Sequence, residues 1–149
     1  MQITSYTDYA LRVLIYLAMS PNRQATITEI ADFYNISRNH LVKVVHQLGG
    51  QGFVITTRGK GGGFSLQRPP EMIRIGEVVR CMETHFNWVE CFDPAKQNCR
   101  LLPGCGLKHL FAHAGDAYLQ VLDAATLADV LLDTISVELL EKETSDNLQ

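Results

Sequence analysis

The chain has 149 residues, 46% hydrophobic and 19% charged, with a formal charge of −3, enough for one domain or a small domain plus an assembly arm that buries roughly two-thirds of the unfolded surface. No apolar run approaches a membrane span and Arg12 interrupts the first apolar stretch, so no signal peptide or membrane anchor is expected and the protein reads as soluble and cytoplasmic. The charge is divided: through Arg68, seven basic residues face three acidic ones, a net of +4, whereas the remainder carries −7, so the first half suits a polyanion and the second would repel it.

Residues 5–19 place Tyr9, Leu11, Val13, Leu14, Leu17 and Ala18 at roughly helical spacing and end at Pro21 and Asn22, which predicts a first helix. Thr26 stands three residues before Glu29, a capping box that opens a second helix through about Tyr34, with Ile27, Ile30, Ala31 and Phe33 as its apolar positions. Residues 35–37 then form a turn, and Ser37 can cap a third helix over 38–48 whose Leu41, Val44, Val45 and Leu48 make one buried stripe. Two short helices joined by a tight turn form a helix-turn-helix signature. The polar positions left off the stripe, Arg38, Asn39, His40, Lys43 and Gln47, with Ser37 before them, are residue types suited to base edges and phosphates; a solvated helix face is the plainer reading.

Glycines at 49, 50 and 52 stop this helix, and FVITT at 53–57 and GFSL at 63–66 read as paired strands around RGKGGG at 58–63. Glycines permit the reversal, while Arg58, Lys60 and Arg68 add positive charge around it. The result is a mainly α chain with a winged helix-turn-helix and a β-hairpin wing. No Ser or Thr follows Lys60, and the GxGxxG register fails at Phe64 and Leu66, so the glycine run does not fit a phosphate loop. Pro69 and Pro70 close the wing before a further helix over 73–83.

The segment ECFDPAKQNCRLLPGC at 90–105 holds Cys91, Cys99 and Cys105 with intervals of seven and five residues. Cysteines in a reducing compartment are poor disulfide candidates, which leaves metal binding, redox chemistry or burial. Thiolate sulfur suits iron-sulfur clusters, zinc and copper(I), but the spacing fits neither a zinc ribbon nor a ferredoxin. Asp93, Pro94, Pro103 and Gly104 make poor core; Cys81, inside an apolar helical pattern, reads as a small buried residue. Beyond it, Leu107, Leu110, Phe111, Ala114, Tyr118, Val121 and Leu122 repeat at helical steps on a long helix that calls for a partner surface, a homodimer being favoured over back-folding. The organisation expected is 1–70 for DNA binding, 71–133 for a connecting helix, cysteine loop and dimerisation helix, and a polar tail at 134–149. No paired acid and base, activated nucleophile or cofactor fingerprint supports an enzyme.

MQITSYTDYALRVLIYLA at 1–18, ISRNHLVKVVHQLGGQGFVITTRGKGGGFSL at 36–66, IRIGEVVR at 73–80, the three cysteines, LKHLF at 107–111 and TLADVL at 126–131 together resemble the nitric-oxide-sensitive, NsrR-like branch of the dimeric winged-helix iron-sulfur repressors, which also include IscR. The resemblance implies a four-iron, four-sulfur (4Fe-4S) cluster, an inverted-repeat operator in double-stranded DNA, and derepression when nitric oxide attacks the cluster. It further implies Cys91, Cys99 and Cys105 as ligands, with Asp8 of the partner subunit as the fourth. IscR-like members use a histidine three residues past the last cysteine, where this chain has Lys108; His109, one place on, is the alternative ligand. A regulator sensing redox state, iron supply or zinc through the same cysteines, or an iron-sulfur electron carrier, are the other readings.

Overall fold

Thr4 opens the first helix, α1 (Ser5–Met19), by accepting a hydrogen bond from the Thr7 amide on its side chain. The computed structural model describes residues 3–21, 23–59 and 61–131; Lys60 and the tail expected at 134–149 lie outside the described residues. Helix α2 (Ile27–Tyr34) starts with the expected capping box, in which Glu29 and Thr26 each accept a bond from the other's backbone amide. It ends at Asn35 with φ 53°, the left-handed conformation asparagine tolerates, and the Ile36 amide returns to the Ala31 carbonyl at 3.0 Å. This reversal feeds α3 (Arg38–Gly50), whose Leu41, Val44, Val45 and Leu48 are buried as expected.

Two local expectations change here. Ser37 holds the N-cap position, but its hydroxyl makes no capping bond; the Ser37 carbonyl accepts from the amides of His40 and Leu41 instead. The glycines at 49 and 50 continue α3, and the chain reverses only at Gly52, with φ 75°. Strands β1 (Val54–Thr57) and β2 (Gly63–Leu66) then pair antiparallel with Thr57 opposite Gly63. Ala25 adds a bridge to Phe64, so the loop before α2 completes the base of the wing. A Cβ on Gly63 would lie 2.5 Å from the Ala25 carbonyl oxygen, and glycine alone permits that approach.

A one-turn 3-10 segment (Pro70–Met72) leads to α4 (Ile75–Met82), shorter than the 73–83 expected because Ile73 remains extended. Its carbonyl accepts from the Leu127 amide at 2.8 Å, and the Ile75 amide donates to Ala125 at 3.0 Å. Ile73, Val78, Met82, Leu127 and Leu131 join the same core as Val13, Leu14, Ile30, Leu41, Leu48 and Phe53. One core therefore runs across the boundary expected at residue 70. Phe33, expected among the apolar positions of α2, is 58% exposed and lies edge-on to Tyr16 and Tyr34.

Helix α5 (Gly106–Ala124) leans on α4 through its C-terminal end. Asp123 takes both guanidinium nitrogens of Arg80 in a fork, and Arg74 donates to the Asp123 carbonyl at 2.9 Å. Gly76 admits this docking, since a Cβ there would collide with the Asp123 side chain. Among the described residues, no helix is long and apolar enough to cross a membrane.

Candidate nucleic-acid interface and cysteine segment

On α3 the burial of Leu41, Val44, Val45 and Leu48 turns the opposite side outward. Ser37, Arg38, Asn39, His40 and Lys43 are all exposed along it. Arg38 has only a long contact, 3.9 Å, to the exposed Asp32, which an anion can displace at little cost. Lys43, and Arg58 at the exposed end of β1, have no acidic partner among the described residues. Val42, 53% exposed, and His46 share this face and were not anticipated. Their signal lay in the spacing, since 39, 42, 43 and 46 follow the helical three- and four-residue step opposite the buried stripe.

Two basic-half residues are spent inside the fold. Arg68 does not project from the wing: its guanidinium lies 4.7 Å from the Phe53 ring centre and forks onto Glu77 at 3.0 and 3.3 Å. Gln47, expected on the DNA face, is half-buried and donates its side-chain amide to the Cys81 carbonyl at 2.7 Å. At about 100° per residue it falls on the flank shared with His40, at the margin of the buried stripe. His40 in turn stacks at 6.3 Å on Tyr9, and the Tyr6 hydroxyl donates to the Lys43 carbonyl at 2.8 Å.

The start of α1 and the end of α4 meet at Glu83. Its carboxylate accepts from the Thr4 amide at 2.8 Å and the Thr4 hydroxyl at 3.0 Å. Desolvation pushes this carboxyl upward, but the hydroxyl of buried Thr7 and the two Thr4 donors outweigh it and hold the group below the ordinary glutamate range. From Glu83 the chain runs along a cavity of about 190 Å³, lined in part by Ile3, Val79, Trp88 and Tyr118, toward the cysteines. Trp88 packs on Gly115, the one buried residue among those described in α5, and lies edge-on to Tyr118 at 5.5 Å. Trp88 thereby anchors the cysteine segment to α5.

That segment forms two single turns of 3-10 helix, Glu90–Phe92 and Pro94–Lys96, the second capped by the Asp93 side chain accepting from the Ala95 amide. All four cysteines are free thiols. Cys91 and Cys99 line one open cleft of about 410 Å³ with Lys96 and Asn98, while Cys105 caps α5. The donor set fits a thiolate-bound metal group: three unpaired thiols, one exposed and two half-buried, sit on short turns outside regular helix. Within the single chain, however, no three ligating side chains converge among the described residues. Asp8 lies in the first turn of α1, half-exposed and paired with Arg12 at 2.9 Å; that bond, outweighing desolvation, raises the Arg12 guanidinium further. His109 is exposed on the first turns of α5. Cys81 packs against the core, and desolvation followed by nearby Glu77 raises its thiol, with Arg68 opposing, as suits a non-ligand.

The expected apolar stripe of α5 is two faces. Phe111, Gly115, Tyr118 and Leu122 turn toward the chain's own side, whereas Leu107, Leu110, Ala114, Ala117, Val121 and Ala124 are exposed. The second set repeats at alternating steps of three and four, the spacing of a helix-pairing seam.

A helix-turn-helix with an outward polar helix, followed by a β-hairpin wing with exposed Arg58 at its edge, defines a winged-helix DNA-binding regulator. The Rrf2 family pattern, described as an iron-dependent transcriptional regulator, matches residues 3–133. The chain belongs to the Rrf2 family. It is 54% identical over 132 residues to the HTH-type transcriptional regulator NsrR of Bacillus subtilis, covering 88% of this chain and 90% of that one. It is 52% identical over 134 residues to the regulator of the same name from Bacillus licheniformis, covering 89% and 94%. Among solved structures, the oxidized form of Staphylococcus aureus CymR superposes with a TM-score of 0.69 at 29% identity, covering 88% of this chain and 96% of CymR.

Proposed function

We propose that the chain is a homodimeric repressor that holds a 4Fe-4S cluster and leaves its inverted-repeat operator in response to nitric oxide. The observation that carries this reading is the free-thiol segment 91–105, pinned to α5 by Trp88, in a chain 52% and 54% identical to regulators named NsrR. Cys91, Cys99 and Cys105 supply three thiolates, and a carboxylate from Asp8 of the partner subunit supplies the fourth ligand, with His109 as the alternative. Bound there, the cluster supplies iron that nitric oxide coordinates, and its nitrosylation or loss ends repression.

The chain's own residues do the rest. The exposed seam from Leu107 to Ala124 seats the same helix of a second copy, its alanines allowing close approach. Two-fold pairing sets the spacing of two α3 helices, which must meet successive major grooves. Ser37, Arg38, Asn39, His40 and Lys43 on α3, with Arg58 and Lys60 in the wing, contact bases and phosphates; Gln47 is withdrawn from that set because its amide is occupied. For Asp8 to serve a partner's metal centre it must leave Arg12, an exposed exchange of low cost.

Iron and acid-labile sulfide in anaerobically purified protein test this first: about four of each per chain is expected, with operator affinity falling on nitric oxide titration. Cys99→Ala should lose both the iron and the response; a variant that still represses and still responds would reject the reading. Asp8→Ala should alter the cluster's sensitivity without unfolding the chain. A second reading, a thiol-disulfide switch, is favoured by the likeness to CymR in an oxidized form and by accessible Cys99. It expects colourless protein without sulfide, and peroxide rather than nitric oxide as the releasing agent.

A further inference from the structure

The recognition helix is gripped along one flank by the two elements that lead to the proposed sensor. From α1, the Tyr6 hydroxyl reaches the Lys43 carbonyl at 2.8 Å, two residues before Asp8. From α4, the Cys81 carbonyl takes the Gln47 amide at 2.7 Å, ten residues before Cys91. The two grips are joined behind α3, where the Thr4 amide and hydroxyl close onto Glu83. The Gln47 bond is part-buried and shielded from competing water, whereas the Tyr6 bond lies at the exposed edge of the same flank.

We infer that Gln47 and Tyr6 are positioning residues that lock the angle of α3 to the α1–α4 junction, so that the state of the cysteine segment reaches the DNA-reading face through these two bonds and not through the apolar core. This deepens the repressor reading and rests on it. The core contacts of α3, Leu41, Val44 and Leu48, are fully packed and hold the helix in place along its length. A lone apolar stripe leaves rotation about the helix axis weakly fixed, because dispersion contacts are non-directional. Two directional hydrogen bonds on one flank fix that rotation. Rotation sets how the whole outward face, from Asn39 to His46, is presented to the groove, so loosening it weakens binding to every duplex alike.

The test uses the full-length protein, loaded and after removal of its iron by chelation, on the duplex that wild-type protein selects from a randomised pool and on all single base-pair substitutions of it. Gln47→Leu keeps side-chain bulk and removes the donor; Tyr6→Phe removes only a hydroxyl and keeps the assay valid should the first variant fold poorly. Affinities are corrected for active fraction by stoichiometric titration. Gln47→Leu should bind about fivefold more weakly, the loss expected for one shielded hydrogen bond, and Tyr6→Phe, whose bond is exposed, about twofold. The loss should be the same on every duplex, and the loaded-to-stripped affinity ratio should shrink toward one. Relaxed discrimination at a single base pair would make Gln47 a base reader and overturn the assignment. So would a ratio equal to that of wild type, which is what simple destabilisation produces. If wild type itself shows no such ratio, the metal-sensing reading fails, an outcome distinct from a variant that retains it.

Discussion

Leu14 and Leu110 are the same side chain on two helices of one chain, yet the first is 0% exposed and the second 64%. The contrast extends to their regions. In the winged helix the apolar stripes of α1, α3 and α4 close on one another, and Arg23 and Arg68 each hold a carboxylate of the same region. In the arm formed by 84–124, apart from the anchorage of Trp88 and Asp123, an apolar seam faces outward and three thiols, one exposed and two half-buried, stand unpaired. The first region is packed largely on itself, whereas the second leaves surfaces that no other described residue covers.

The largest effect separates the two leucines. Leu14→Ala should cost about 2–5 kcal/mol, the transfer term plus a cavity, and show as a lowered urea midpoint. Leu110→Glu should leave the far-ultraviolet circular dichroism unchanged and convert the proposed dimer to a monomer in sedimentation velocity. A Leu110→Glu protein that remains dimeric would place the second copy on another face. Next comes the joint between the regions. A Cβ at Gly115 would stand 3.3 Å from the Trp88 ring, so Gly115→Val should cost about 1–3 kcal/mol by overpacking. Trp88 is the chain's one tryptophan, so its emission should shift to the red as the ring is pushed toward water; an unchanged spectrum would show that Trp88 does not anchor the arm. Within the head alone, Thr26→Ala should cost about 1 kcal/mol by removing the capping box of α2, measured as a thermal shift that Leu110→Glu does not reproduce.

Legibility followed the same division. The bounds of α1, the Thr26–Glu29 box and the stripe of α3 were readable because local spacing and local caps decide them. The bond of Gln47 is not legible, because a margin position is equally close to solvent and to the next element, and only the arrival of Cys81 settles it. Arg68 was counted as wing charge because its partners, Phe53 and Glu77, lie fifteen and nine residues away. The periodicity of α5 announced a helix but merged two faces, because apolar content does not state which apolar residues belong to the chain's own interior. The cysteines were legible as chemistry and not as geometry: their identity gives the donor type, and their spacing does not bring three of them together among the described residues.

The smallest effect tests the seam where the regions meet. Glu83 is held below the ordinary carboxylate range: desolvation opposes its ionised form, and the Thr7 hydroxyl with the Thr4 donors favours it more strongly. A group with a depressed folded value stabilises the fold above its unfolded value, about 4.3 for glutamate, and loses that contribution as pH falls through the folded one. Glu83→Gln keeps the size and discards the charge, so at pH 7 it should be less stable than wild type by no more than about 1 kcal/mol, the range for a partly exposed charged hydrogen bond. As pH falls below the free glutamate range and through the lower folded value, the two proteins should converge, because wild-type Glu83 is then protonated as well. Urea unfolding at pH 7 and at the acid end measures both gaps. Equal gaps would mean that Glu83 acts through shape and not charge, and that the junction joining α1 to α4 is indifferent to protonation.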